Sequence, residues 1–187
     1  TTMIMKRTTA LLFLFFLFLS FSANAQRSGN MASSVGLSAG YAEDGYGIMG
    51  TFNFHLDRYK YFQLSVFAAI AEDKGRNDIP YNIFTIQPGQ FWRVFISPRK
   101  KNLSVFVGGG GLFGYEVINN GSNELPTGAI IDGKSQFIYG VYAGVEAELT
   151  IGDDFSILAK ANEYYHINSD VGHFYPYAGI GLRYFLF

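Results

Sequence analysis

The stretch that decides the fold reads FYPYAGIGLRYFLF, residues Phe174–Phe187. Its second half alternates with period two, which places successive side chains on opposite faces of a β-strand. The residues on one face are Ala178, Ile180, Leu182, Tyr184 and Leu186. Arg183 falls on the other face. Phe187 is out of register with the apolar face, so we expect either that the strand bends at its end or that Phe187 lies at the periplasmic rim of a barrel. A final strand of this kind is typical of outer-membrane barrels, in which it pairs with the first strand to close the wall.

The composition also favours a β-rich protein. The 187 residues are 49% hydrophobic and 18% aromatic, with 22 Gly, and only 16% are charged. Aromatic and glycine enrichment is typical of strands with close backbone contacts. The formal net charge of −1 provides no broad basic field, so we expect no direct nucleic-acid binding. Composition alone leaves an ordinary soluble β-sandwich open as the alternative.

The first 25 residues have the features of an export signal. Lys6 and Arg7 precede the apolar run 10–21, and Ala23 and Ala25 supply the small residues of a cleavage site. The apolar run has about 12 residues, too short to cross a ~30 Å hydrocarbon layer as a helix. We therefore predict a signal peptide over 1–25 that is removed, with initiation at Met3 or Met5. An uncleaved anchor is the alternative.

After removal of this signal we expect one domain, residues 26–187. The residue at position 26 is Gln and not Cys, which excludes a lipoprotein anchor at that site. No later segment has the ~18 consecutive apolar residues of a membrane helix. The protein is therefore expected to leave the cytoplasm and reach the outer membrane of a bacterium.

Eight alternating runs follow one another along this domain. They are 33–42, 46–56, 59–70, 81–96, 103–117, 136–149, 155–165 and 174–187. An even number of strands allows an up-and-down barrel to close within one chain. The connections after the second, fourth and sixth runs are short, as periplasmic turns are. We predict an all-β, eight-stranded antiparallel up-and-down transmembrane barrel of the outer-membrane type.

A soluble, lipocalin-like barrel also has eight strands, but its outer face is polar. In run 136–149 one face carries seven apolar residues: Phe137, Tyr139, Val141, Ala143, Val145, Ala147 and Leu149. Water would contact this face unless lipid covered it. Outer-membrane lipid is therefore the first partner we expect.

Two glycine-containing segments were considered for special roles. Pro88-Gly89, inside the run that puts Phe84, Ile86, Trp92, Val94 and Ile96 on one face, suggests a bulge or bend. Gly108–Gly111 lacks the Lys-Ser/Thr of a phosphate-binding loop and precedes no helix, so it is not a nucleotide motif. In a crowded barrel, glycine instead makes room for the large side chains that face it.

Five charged residues fall on the predicted inner face: Arg93, Glu146, Glu148, Lys160 and Arg183. They could be read as a catalytic cluster. The interior of an eight-stranded barrel is only wide enough for side chains to fill it, and buried charges there must be paired. We therefore predict a structural charge network that fills the lumen, with no open pore for solutes.

Three polar residues near the end of the seventh run invite comparison with lipid A deacylases, which use Ser, His and an acid. Glu163, His166 and Ser169 lie close in sequence, but nothing fixes the geometry that a nucleophilic triad needs. The histidines His55, His166 and His173 lack metal-ligand spacing. We expect no catalytic residue, metal, cofactor or small-molecule substrate.

The second half of the chain contains a series of short motifs: Gly109-Gly110, Gly114-Tyr115-Glu116, Asp132-Gly133, Phe137-Ile138-Tyr139-Gly140, Glu146-Ala147-Glu148, Gly172-His173-Phe174 and Gly179-Ile180-Gly181. In the order and spacing of these motifs it resembles the TraO family of conjugative-transposon proteins from Bacteroidetes. The likeness is strongest over 103–187 and weaker over 26–102. Departures are expected in the long loop 118–135 and in 26–45.

The resemblance implies a role in conjugation, a route of horizontal gene transfer, as a non-enzymatic outer-membrane component of the mating apparatus. It also implies other transfer proteins as partners. Periodicity and composition by themselves reach only an exported small outer-membrane barrel. The alternatives are a general OmpX-like surface or adhesion barrel and a lipid A-modifying hydrolase.

Overall fold

The structure is a computed structural model that describes residues 33–73, 79–98, 102–118, 135–169 and 172–186. The predicted signal peptide, 1–25, and the terminal Phe187 lie outside the described residues. No helix among the described residues is long and apolar enough to cross a membrane.

Eight strands form one closed antiparallel barrel in which each strand pairs with the next and the last pairs with the first. They are β1 Ser33–Ala42, β2 Gly45–His55, β3 Lys60–Asp73, β4 Ile79–Ile96, β5 Leu103–Ile118, β6 Gln136–Thr150, β7 Phe155–His166 and β8 Phe174–Leu186. Leu37 of β1 faces Leu182 of β8, and Val35 faces Tyr184. The predicted barrel and its closing strand are confirmed.

The predicted strand bounds agree closely with the structure, and the largest difference is in β3. This strand runs three residues into the segment read as a charged loop, up to Asp73. Ala71 is buried and pairs with Gly45 on one side and Tyr81 on the other. Pairing on both edges extends the strand because it satisfies the backbone groups that a loop would leave to solvent.

The predicted irregularity at Pro88-Gly89 is wrong in its position. Pro88 faces Leu64, and the register between β4 and β5 is the same on both sides of it, from Ile86 facing Phe113 to Gly89 facing Gly110. The register shifts instead between Arg93 and Phe95, so Val94 is the extra residue of a β-bulge.

This bulge also changes which side chains face outward. Phe95 faces Val105, an outward position, and Ile96 faces Ser104, an inward one. Period-two alternation predicts Ile96 on the outer face with Trp92 and Val94. In the structure Ile96 instead lines a cavity at the mouth of the barrel.

The outer face of the barrel is apolar and carries two belts of exposed aromatic side chains. One belt comprises Phe54, Tyr59, Phe62, Trp92, Phe95, Phe155 and Tyr184. The other comprises Tyr41, Tyr46, Phe84, Phe113, Tyr115, Phe137, Tyr139, Tyr165 and Phe174. Exposed aliphatic residues such as Leu37, Val66, Ile86, Val145 and Ile180 lie between them.

The two ends of the barrel differ in their connections. We call the end with connections 56–59, 97–102 and 151–154 the turn end; β1 starts and β8 finishes there. The loop end has connections 43–44, 74–78, 119–135 and 167–173. At the loop end Glu43 and Asp44 form a two-residue hairpin turn, and Asp44 has a φ of 55°, in the left-handed region.

The lumen is filled by side chains, and glycines on the inner row make room for rings. A Cβ atom on Gly108 would lie 2.7 Å from Cγ of Phe91, and one on Gly47 would lie 2.6 Å from Cε2 of Phe67. Gly89 similarly faces the hydroxyl group of Tyr142. Of the segment Gly108–Gly111, Gly108 makes room for a ring as predicted, whereas a Cβ atom on Gly109 or Gly110 would meet backbone atoms of the neighbouring strands.

Candidate functional site

The strand registers bring four of the five predicted inner-face charges together. Glu146 of β6 faces Lys160 of β7 directly, and Ser156 of β7 faces Arg183 of β8. Glu148 lies two residues beyond Glu146 and therefore on the same inner face. Three consecutive strands thus present two acids and two bases to one level of the lumen.

These four residues form one ion-paired group, which we call the lumen network. Lys160 Nζ lies 2.5 Å from Glu146 Oε2, and Arg183 Nη2 lies 2.7 Å from Glu146 Oε1. The other terminal nitrogen of Arg183 pairs with Glu148. All four side chains are buried, and Arg183 is 0% exposed.

Three further residues, which sequence periodicity does not assign to it, complete the network. The Tyr61 hydroxyl donates to Glu146 Oε1 at 2.8 Å, and Lys160 Nζ donates to Gln63 Oε1 at 3.1 Å. The Ser156 hydroxyl donates to Glu148 Oε1 at 3.2 Å. The Arg183 guanidinium also lies 5.0 Å from the ring centroid of Tyr61. Tyr61 and Gln63 come from β3, so the network spans the lumen.

The signal that could have found Tyr61 is its place in the alternation of β3. It shares the inner row with Gln63 and Ser65, whose polar side chains are also buried. A tyrosine is amphipathic, so polarity alone does not tell which face it occupies. Only the register across the lumen identifies its partner.

The lumen network is balanced in charge. Two carboxylates offset one ammonium and one guanidinium, and each charged group has at least one partner of opposite sign. Buried charges without such partners would cost several kcal/mol each. Because every charge is committed to a partner inside the wall, the arrangement suits filling and fixing the lumen better than acid–base chemistry.

Arg93 has a different partner from the other four predicted residues. Its side chain is half-buried near the turn end, and its guanidinium carbon lies 5.1 Å from the ring centroid of Tyr59. It lines a cavity of about 210 Å³ at this mouth together with His55, Arg58, Lys60, Ile96 and Phe185. Glu148 lines the same cavity, so the network forms its inner wall.

The turn beside this cavity is held by an aspartate. Asp57 Oδ1 accepts hydrogen bonds from the backbone N–H groups of Tyr59 at 2.7 Å and Lys60 at 3.0 Å. The hydrogen bond from Tyr59 lowers the pKa of the Asp57 carboxyl below its ordinary value. The carboxylate thereby replaces backbone partners that a turn of this length lacks.

Of the three residues considered for a hydrolytic site, Glu163 lies apart from His166 and Ser169. His166 is buried among rings, with its centroid 6.5 Å from that of Tyr164 and 5.8 Å from that of Tyr175. Ser169 is also buried, and its hydroxyl donates to Glu116 Oε2 at 2.6 Å. Glu163 lies on the outer face of β7, on the opposite side of the wall.

Metal binding finds no support in the part of the chain that the structure describes. No group of three or more His, Asp or Glu residues there is arranged to hold a metal ion.

Comparison with protein families gave one match. The model of the family described as "Conjugative transposon protein TraO" matches residues 23–186. Comparison of the sequence with curated proteins gave no match.

Several solved structures share the fold. A major outer membrane protein from Thermus thermophilus has a TM-score of 0.60 at 14% identity, covering 83% of this chain and 99% of that one. Neisserial surface protein A has a TM-score of 0.57 at 11% identity, covering 86% and 98%. Ail, the attachment invasion locus protein of Yersinia pestis, has a TM-score of 0.53 at 12% identity, covering 84% and 99%. At these identities the likeness shows the barrel fold alone.

Proposed function

The chain belongs to the TraO family of conjugative transposon proteins, and from this membership we propose that it is a non-enzymatic outer-membrane component of a conjugative DNA-transfer apparatus. The family match over residues 23–186 is the observation that carries the proposal. In this role the protein is a structural or assembly element that works with other transfer proteins.

The outer face supports a location in the outer membrane. Two aromatic belts that flank an aliphatic zone are the pattern of a transmembrane barrel at its two lipid–water interfaces. Along β7 the belts are marked by Phe155 and Tyr165. Ten residues at about 3.3 Å each, tilted by about 40°, span roughly 25 Å, which equals the apolar band of such barrels.

The connections support an orientation. Outer-membrane barrels have short turns in the periplasm and longer loops outside the cell. The turn end then faces the periplasm, where the cavity beside Arg93 opens. The loop end, with connections 74–78 and 119–135, faces outward. Export by a signal peptide over 1–25 that is removed, leaving 26–187 as the barrel domain, belongs to the same proposal.

The filled lumen supports a scaffolding role over that of a conduit. The lumen network and the rings around it occupy the interior of a barrel that is narrow to begin with. DNA or a secreted protein has no room to pass. We propose that the network, with Arg93 at its periplasmic edge, fixes the barrel as a rigid wall element.

A clean deletion of the gene from a transfer-proficient element tests the function. We expect the transfer frequency to fall and to recover when the gene is supplied in trans, while growth and the lipid A profile do not change. An unchanged transfer frequency after deletion would contradict the proposal. Membrane fractionation and heat-modifiable migration on a gel, a property of closed barrels, test the location and fold separately.

The deletion strain and an overexpression strain address the two alternatives. An OmpX-like surface or adhesion protein predicts that deletion lowers adhesion and leaves transfer intact. A hydrolase predicts altered lipid A in mass spectra on overexpression, abolished by Ser169→Ala. The position of Glu163 argues against the hydrolase, because this residue lies on the wrong face to act as the acid of a site with His166.

A further inference from the structure

The outer face of β7 contains one carboxylate in an otherwise apolar row. The burial of β7 alternates strictly, and its outward residues are Phe155, Ile157, Ala159, Ala161, Glu163 and Tyr165. Glu163 is exposed, so its side chain points away from the lumen network and toward the lipid of the proposed membrane location. The inference below rests on that location.

The position of Glu163 is inside the apolar band and not in the water beyond it. Tyr165, two residues further along β7, belongs to the aromatic belt of the loop end, and its ring packs on Phe174 with centroids 5.1 Å apart. Two residues of a tilted strand correspond to a depth of about 5 Å. The backbone of Glu163 therefore lies just beneath the outer interface.

The neighbouring strands offer this carboxylate no side-chain donor. Glu163 faces Ala143 of β6 and Pro176 of β8. Its diagonal neighbours on the outer face are Val141, Val145, Phe174 and Ala178. Glu163 also takes no part in the ion pairs among the described residues. We call the patch formed by Glu163, Ala143 and Pro176 the Glu163 surface.

An ionisable side chain that faces lipid is unfavourable for the barrel alone. Such residues in membrane segments normally face a protein interior or a partner of opposite charge, and they mark functional positions. Glu163 is the only charged residue on the outer face between the two belts in the described strands. Its cost to the isolated barrel points to a partner that supplies the missing cation.

We infer that the Glu163 surface docks a membrane-embedded segment of another transfer protein that carries a lysine or arginine at this depth. Charge complementarity selects a cationic segment. A second copy joined through the same surface would instead bring two carboxylates together. The small side chain of Ala143 and the glycine that faces it on β5, Gly109, allow the partner backbone to approach closely.

Site-specific photocrosslinking in cells that carry the whole transfer element tests the inference. A photoreactive amino acid replaces Ala161, beside Glu163, or Val66, on the opposite wall of the barrel, as the matched control. We expect an adduct from position 161, and none from 66, with a protein encoded by the same element. Its crosslinked segment should be membrane-embedded and contain Lys or Arg.

Charge exchange at Glu163 supplies the decisive comparison. We expect Glu163→Lys to lower the adduct yield and the transfer frequency roughly tenfold, which corresponds to about 1.4 kcal/mol of binding free energy. Replacing the partner's cation by Glu should restore both in the Glu163→Lys strain. Glu163→Gln should lower both by less, since the amide keeps the shape and loses the charge. Heat-modifiable migration must show that each variant folds.

Four outcomes would overturn the inference. They are an adduct with a second copy of this chain, equal adducts from 161 and 66, no protein adduct at all, and transfer by Glu163→Lys at the wild-type frequency. If gene deletion itself leaves transfer unchanged, the proposed function fails. If deletion lowers transfer and Glu163→Lys does not, this inference alone fails.

Discussion

Arg183 connects three strands of the barrel through one side chain of the lumen network. It pairs with Glu146 and Glu148 of β6 and lies over the ring of Tyr61 from β3, although it is itself on β8. A guanidinium suits this position because its rigid, planar fork directs separate N–H groups at two carboxylates while its flat face lies over a ring.

Replacing Arg183 by Met should therefore be costly. The apolar side chain keeps much of the volume but leaves two buried carboxylates with one ammonium between them. We expect a loss of about 3–5 kcal/mol in the free energy of unfolding, measured by urea titration of the barrel in phospholipid vesicles. Adding Glu148→Gln should recover part of this loss because it removes the surplus charge. A loss of less than about 1 kcal/mol for Arg183→Met would contradict a paired, buried network.

A second prediction at this scale concerns Asp44, whose φ of 55° is in the left-handed region. Asp and Asn tolerate this region, and a β-branched residue does not. Asp44→Val should lower the free energy of unfolding by about 1–2 kcal/mol, and Asp44→Asn should change it by less than about 0.5 kcal/mol. Urea titration of both variants measures the difference, and equal values would show that this turn has an ordinary φ.

Among the elements, β4 shows what a sequence pattern leaves open. Period-two alternation predicts the two faces of a strand only while the register is constant, and one inserted residue exchanges the faces. Val94, Phe95 and Ile96 are all apolar, so either register gives an acceptable outer face. Pro88 is the residue at which the sequence predicts an irregularity, but there the ladder with β5 omits only the pairs of Gln87 and Pro88 and then resumes in register.

Cysteine pairs can test the bulge because the natural chain has no Cys. Ile96→Cys with Ser104→Cys should form a disulfide, since the two residues face each other on the inner side. Phe95→Cys with Ser104→Cys is the matched control and should stay reduced, because Phe95 points outward. Migration on non-reducing gels distinguishes them, and the reverse result would mean that β4 has no bulge.

The alternation was sufficient for the network charges on β6, β7 and β8, where no bulge intervenes. It placed Glu146, Lys160 and Arg183 inside, and the structure brings them into contact. Alternation could not identify Tyr61 as a member of the network, because its contact with Glu146, three strands away on β6, depends on how the barrel closes. Arg93 is a second case that alternation alone misplaces. The sequence predicts it beside the acids, but its guanidinium lies over the ring of Tyr59, next to the bulge in β4.

For the whole molecule, closure and a filled interior predict electrical behaviour. Eight strands enclose little more than the volume of their own side chains, and here that volume is occupied by the lumen network and stacked rings such as Tyr61 and Phe91. In planar lipid bilayers the purified barrel should produce no single-channel steps, whereas a porin added afterwards should. Stable conductance from the wild-type barrel would contradict the filled lumen and the scaffolding role.

The distribution of the lumen network over the strands also sets an order of assembly. Glu146 and Lys160 face each other within the β6–β7 hairpin, so their ion pair can form as soon as this hairpin does. Arg183 arrives only with β8, which must also pair with β1 from the opposite end of the barrel sequence. Contacts of such long separation form late.

Arg183→Met should therefore accelerate unfolding and leave the folding rate nearly unchanged, since late contacts are absent from the transition state. The last strand to join the wall is thus also the one that brings the final cation to the acids inside, so closing the barrel and neutralising its interior become a single kinetic event.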